Sequence, residues 1–133
     1  MEKDQSLDFA ERYTAAWCSQ DAASVAAFYA ADGSLSVNDG APAVGRSAIM
    51  EEAQSFMTAF PDLRVLMDKV LVQGDRTEYH WTLIGTNTGP GGTGKRVRIS
   101  GMEVWKEWKD ALIARSDGEF DAADYQRQLT LGS

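Results

Sequence analysis

The sequence predicts an α+β domain in which N-terminal helices pack on one face of a strongly curved, mostly antiparallel sheet, leaving a pocket for a small, largely apolar molecule. Two observations lead there. Apolar residues recur at helical spacing through the first half of the chain and alternate at strand spacing through the second. In addition, 133 residues of 44% apolar content can bury one sizeable core but leave little room for another, so a single domain spanning 1–133 is expected.

Leu7, Ala10, Tyr13, Ala16 and Trp17 mark a first amphipathic helix, with Ser6 as its expected cap. Asp21 reads as the N-cap of a second helix that carries Val25, Phe28 and Tyr29 and ends near Asp32-Gly33. A short extended piece, Leu35 to Val37, follows. Ile49, Ala53, Phe56, Met57 and Phe60 define a third helix, capped by Ser47 and stopped by Pro61, with Met50 and Met57 as packing residues. The period then changes. Leu63, Val65 and Met67, then Tyr79, Trp81 and Leu83, then Val97, Ile99 and Val104 suggest extended, alternately buried segments. Gly89 to Gly94, with Pro90 and Thr93 among its glycines, is a hairpin loop; a phosphate-binding loop would have to lead into a helix, and a strand pattern follows. A last strand, Leu112 to Phe120, leads to a terminal helix, Ala122 to Leu129, with Asp121 as N-cap.

Composition narrows the function classes. A formal charge of −7 opposes attraction to nucleic acid or anionic lipid, and the only basic cluster, Lys95, Arg96 and Arg98, reads as a solvated strand start. No stretch is long and apolar enough to span a bilayer and no leader is evident, so a cytoplasmic protein is expected. Cys18 and His80 are each the sole residue of their type. An internal disulfide is therefore impossible, metal sites are not expected, and no cofactor is called for.

Gly45-Arg46-Ser47-Ala48-Ile49, Ala59-Phe60-Pro61-Asp62-Leu63-Arg64, the run Trp81 to Gly89, Thr93-Gly94-Lys95-Arg96-Val97 and the ending Phe120-Asp121 with Gln128-Leu129 together resemble, in order and spacing, the SnoaL-like polyketide cyclases of the nuclear-transport-factor-2-like superfamily. The resemblance covers nearly the whole chain. It implies a conical α+β barrel whose wide end holds an apolar ligand, commonly in a homodimer. It leaves the chemistry open, since the superfamily includes cyclases, steroid isomerases, epoxide hydrolases, dehydratases and noncatalytic binders.

Within that resemblance Gly101-Met102-Glu103-Val104-Trp105 is similar to the strand carrying the oxyanion-stabilising acid of the steroid isomerases, and Tyr13 falls where they place a hydrogen-bonding tyrosine. A phenol and a neutral carboxylic acid would together stabilise a developing enolate, and an ionised Glu103 would instead act as a base. Strand parity decides whether Glu103 faces in with Ile99, Gly101 and Trp105, or out, leaving Met102 and Val104 inside. Tyr13 is either a ligand contact or a core aromatic. The expected ligand-binding set is Trp81, Trp105, Phe120, Ser116, Tyr79 and Asn38.

Departures from the family weigh against catalysis. The isomerase base position falls near Val37 and Asn38, with Asp39 only a register shift away. The cyclase aspartate aligns with Gly118, so that Asp117 and Glu119 would reach it only by a shift that reverses their faces. Asn87 stands where the family often has a histidine, and His80 shares the face opposite Tyr79, Trp81 and Leu83 unless a bulge reverses it. Three functional readings follow: acid–base isomerisation or cyclisation of an enolisable substrate, noncatalytic binding of an apolar metabolite, and protein docking. The last requires an exposed apolar sheet surface and little internal volume.

Overall fold

The computed structural model describes residues 3–133. Helix α1 spans Lys3–Cys18 and α2 spans Ala22–Ala26, followed by strand β1 at Tyr29–Val37, the short β2 at Ala43–Val44 and helix α3 at Arg46–Ala59. Four long strands and a helix complete the chain: β3 at Arg64–Gln73, β4 at Arg76–Thr86, β5 at Arg96–Lys109, β6 at Leu112–Phe120, and the last helix α4 at Ala122–Leu131. The sheet order is β2-β1-β6-β5-β4-β3. Only β1 and β6 run parallel, and the two edges, β2 and β3, do not meet. The expected barrel is therefore an open cone of sheet.

Alternation along β5 shows why this sheet has one inner face. Val97, Ile99, Glu103 and Trp105 are buried while Arg96, Arg98 and Ser100 are exposed, the two-residue period of a half-buried strand. One parity runs from Val97 to Trp105, so Val104 points outward, contrary to its expected inclusion in the apolar set; only beyond Trp105 do register shifts turn Trp108 against the core. Helix α1 lies against β3, α2 and α3 pack on each other, and α3 also meets β1 and β2. In α3, Ile49, Ala53 and Met57 recur four residues apart and are buried. Met50, one position off that stripe, is exposed rather than a packing residue.

Several local expectations change on folding. The second helix ends at Ala26, and Tyr29 opens β1 instead, because the Phe28 carbonyl accepts from Ile113 N and the chain pairs in parallel with β6. Asp32-Gly33 is then an irregularity inside that strand, lying between the paired residues Tyr29 and Ser34, and not a turn. Ser6 is inside α1, buried, and its hydroxyl has no partner. Ser47 does not cap α3: the N-cap is Gly45, in a positive-φ conformation and without a side-chain hydrogen bond. Asp21 and Asp121 do cap, accepting from Ala23 N and Asp124 N. The glycine-rich loop joins β4 to β5. Asn87 secures it from within, donating from Nδ2 to the Ala59 carbonyl at 3.1 Å and accepting from Thr93 N at 2.8 Å.

Helix α4 closes a gap in the sheet. β5 pairs with β6 only from Gly101 onward, leaving Arg98 without a strand neighbour on that side. Gln128 supplies what is missing: its Oε1 accepts from Arg98 N at 2.6 Å and its Nε2 donates to the Arg98 carbonyl at 2.9 Å.

Two apolar clusters form between helices and sheet, one around Tyr13, Tyr29, Tyr79 and Trp105, the other around Phe60, Leu63, Leu83 and Val97. Trp17 and Trp81 pack against both. The cavity lies where the two clusters meet.

Candidate functional site

One row of residues across four strands forms much of the cavity wall. Tyr79 of β4 pairs with Glu103 of β5, Glu103 with Gly118 of β6, and Gly118 with Val37 of β1. All four line the cavity. In the next row Trp81 pairs with Gly101 and Gly101 with Phe120. A Cβ on Gly101 would come within 2.5 Å of the Trp81 ring, so glycine there lets the indole lie across β5 and meet Phe120 edge to face at 6.2 Å. Trp17, Phe56 and aliphatic side chains from β1, β3, β4 and β5 complete the walls. The free volume is about 70 Å³, well under the ~300–1,000 Å³ of most small-molecule sites. In this form the cavity suits a compact ligand.

Glu103 is the polar centre of that apolar space, 7% exposed. Its Oε1 accepts from Ser116 Oγ at 2.8 Å, Tyr29 OH at 3.1 Å and Trp105 Nε1 at 3.2 Å, with Tyr13 OH also at 3.1 Å. Oε2 receives only Tyr13 OH, at 3.1 Å. Ser116 and Trp105 are cross-strand partners, which fixes both donors on the inner face beside the acid. The two phenols lie 2.9 Å apart, oxygen to oxygen.

Burial dominates the electrostatics. Loss of hydration raises the Glu103 carboxyl above its ordinary value, while the hydrogen bonds from Ser116, Trp105, Tyr13 and Tyr29 pull the other way. Burial, reinforced by the charge of Glu103, pushes both Tyr13 and Tyr29 well above the usual phenol range. The result is a proton-retaining centre. Since Oε1 already has its donors, a proton on the acid belongs on Oε2, from which it can be donated to a ligand oxygen.

Of the residues expected from sequence, Glu103, Tyr79, Trp81 and Phe120 line the cavity. Trp105, Ser116 and Tyr13 are fully buried and outside the lining, each hydrogen-bonded to the Glu103 carboxyl. Asn38 is exposed, in a positive-φ conformation, and its side chain accepts from Phe120 N at 2.9 Å at the end of β6. It does not line the cavity. His80 is on the outer face, 3.1 Å from Glu78. Asp117 is also outside, held by Lys106, Arg115 and Ser36; burial is the largest single influence and raises its carboxyl, but Lys106, Ser36 and Arg115 together outweigh it and hold the group below its ordinary value.

Sequence reasoning missed Tyr29, Phe56 and Glu52. Tyr29 was hidden by a helical reading of its segment, and the long-range pairing that places it has no local signal. Glu52 lies one helical turn before Phe56 on α3, and that i, i+4 relation is visible in the sequence once Phe56 is known to face the cavity. Among the described residues no group of three or more potential metal ligands comes together, and no helix is long and apolar enough to cross a membrane.

Solved structures share this fold. TsrD from Streptomyces laurentii superimposes with a TM-score of 0.82 at 19% identity, covering 97% of each chain. A SnoaL-like protein from Jannaschia sp. CCS1 gives 0.82 at 14% identity, covering 98% of this chain and 94% of its own. A protein with a ketosteroid isomerase-like fold from Catenulispora acidiphila, solved with trimethylamine, gives 0.78 at 16% identity and 91% of each chain. No curated protein matches in sequence. The family model for the SnoaL-like polyketide cyclases matches residues 7–129, nearly all of a chain whose cone of sheet, apolar cavity and buried acid have just been described; the protein belongs to the SnoaL-like polyketide cyclase family.

Proposed function

We propose that the protein binds a compact, largely apolar small molecule through one ligand oxygen, held by Glu103, and promotes isomerisation or ring closure of an enolisable substrate there. The observation that carries the reading is the asymmetry of Glu103: Oε1 is surrounded by donors, while Oε2 has only Tyr13 and the residue lines the cavity. A neutral acid in that position donates to a carbonyl oxygen and strengthens as the oxygen gains enolate charge, while the α-proton released from the substrate passes to water. Tyr13 and Tyr29 position the acid. The bound trimethylamine of the Catenulispora protein supports a small-molecule role for a cavity of this kind.

Noncatalytic binding is the second reading, favoured by Val37 and Gly118, which line the wall where the family resemblance expects a base and carry no carboxyl group. Docking is less well supported: the exposed large apolar side chains Leu7, Val44, Met50, Leu71 and Leu131 belong to five different elements and form no single face. We also propose a cytoplasmic homodimer contacting through the outer sheet face, where Ile84, Met102 and Val104 are half-buried; light scattering would read a monomer mass if this is wrong.

The test is a thermal-shift and turnover screen with small cyclic enones, β,γ-unsaturated ketones and diketones, on the natural protein and on Glu103→Gln and Tyr13→Phe. The catalytic reading expects a stabilising ligand that is converted, with conversion lost and binding retained in Glu103→Gln. Binding without conversion in any form selects the second reading. Absence of a shift with every carbonyl compound would defeat both.

A further inference from the structure

The cavity holds a carboxylate that an uncharged ligand would not use. Glu52 of α3 lines it together with Glu103, and no lysine, arginine or histidine does. Among the described residues Asp8, Asp32, Asp117 and Asp124 each have a cationic partner, while Glu52 takes part in no ion pair. Glu52 is half-buried, whereas Glu119, which also borders the cavity, pairs with Met102 and shares the outward parity of Asp117.

The rings supply an independent observation. Trp17 and Phe56 meet at 69° with centroids 6.3 Å apart, and Trp81 and Phe120 at 63° and 6.2 Å. Tyr79 adds a fifth ring. Five aromatic rings thus border one small space, and the face of an aromatic ring attracts a cation. Cation–π contacts within the described chain are made elsewhere, by Arg12 over Phe9 and Phe28, so the cavity rings have no cation of the chain's own.

We infer that the ligand bears a positive charge, as a small tertiary or quaternary alkylammonium whose methyl groups lie against the aromatic walls and whose charge faces Glu52. This rests on the cavity being the ligand site, as proposed above, and names the class of compound it takes. A primary ammonium fits the walls less well. It needs acceptors for three N–H groups, and apart from its carboxylates the lining is almost wholly apolar. A methylated ammonium spreads its charge over hydrocarbon, loses less hydration on entry, and gains from both rings and carboxylates. A hydroxyl or carbonyl on the same molecule reaches Glu103 Oε2. The net charge of −7 draws such cations toward the surface.

The experiment is calorimetric titration of the natural protein with choline and with its uncharged isostere 3,3-dimethylbutan-1-ol, at low and at physiological salt. Choline should bind at least about tenfold more tightly than the alcohol, and salt should weaken choline alone. The variant Glu52→Gln, which alters one half-buried side chain, should reduce that preference about three- to fivefold, weakening choline more than the neutral alcohol. Equal or tighter binding of the alcohol overturns the cationic ligand and leaves the carbonyl-binding reading standing. A choline preference that survives Glu52→Gln places the cation elsewhere and also overturns the inference. If neither alcohol binds while a carbonyl compound does, only this inference falls; if nothing binds, both fall.

Discussion

Replacing Glu103 by Gln is the most informative single perturbation, because the structure fixes how each form should behave with pH. A Gln whose carbonyl oxygen takes the place of Oε1 keeps the Ser116, Tyr29 and Trp105 donors, and its amide takes the place of a protonated Oε2. The variant is therefore a mimic of the neutral acid. In the folded natural protein the carboxyl is raised above the ordinary glutamate value of 4.5 by burial, while in the unfolded chain it titrates normally. The folded state then holds the proton more tightly, so this group's contribution to stability is fully present below about pH 4.5. It is lost as pH rises through the folded-state value and is constant above it. Between the two values the natural protein should lose about 1.4 kcal/mol per pH unit relative to the variant. Urea unfolding of both proteins from pH 4 to pH 9 measures this, and taking the difference cancels every other titrating group. A flat difference, or one in which the natural protein gains on the variant with rising pH, would mean that the four donors outweigh burial and that Glu103 is held ionised. The proton-donor mechanism would then be abandoned in favour of a base.

Three further outcomes are expected. Tyr29→Phe removes a donor at 3.1 Å from Oε1; it should destabilise the fold by about 1 kcal/mol in chemical unfolding, and push the Glu103 carboxyl further upward, read as a later levelling of the same pH curve. Gly118→Asp should fold, since a Cβ there meets nothing closer than 3.4 Å and lies 3.6 Å from Glu103 Cγ. A second carboxyl buried beside Glu103 should nevertheless destabilise by about 1–3 kcal/mol at neutral pH, where desolvation opposes its ionisation, and by less at pH 4, where it takes up a proton; equal destabilisation at both pH values would argue that the added acid is not buried beside Glu103. Gly101→Ala forces a methyl against the Trp81 ring and the Glu119 carbonyl, each 2.5 Å from the added atom. It should destabilise by about 1–3 kcal/mol and disturb Trp81 near-ultraviolet circular dichroism, while an unchanged spectrum would remove the indole from its place over β5.

The long-range part of the site was hardest to read from residues alone. Glu103 could be named as a candidate acid, but the two faces of β5 differ only in phase, and the phase is set by which neighbours pair with it. Register with Tyr79 on one side and Gly118 on the other turned Glu103 inward and Val104 outward. Tyr29 was misread for a related reason: Val25, Phe28 and Tyr29 fit a helical stripe, and only the parallel pairing of β1 with β6, far along the chain, overrides that local preference. Asn38 was expected at the ligand because it lies next to Val37 in sequence. The positive φ that ends β1 turns it away to hold Phe120 N.

What the sequence determined by itself was whatever depends on short-range chemistry and period: helices first and strands after, the caps at Asp21 and Asp121, the glycine loop between β4 and β5, and the identity of the buried acid. What the tertiary structure decided was which side chains share one space. Closing β1 onto β6 and curving the sheet over α1 and α3 brought residues from α1, α3 and five strands around about 70 Å³, set four donors on Glu103, and left Glu52 in the lining without a cation. Those relations join positions up to 90 residues apart in the chain, as Tyr13 and Glu103 are. They arise from packing the whole core at once, because burial and hydrogen bonding act through space and leave no local pattern in sequence.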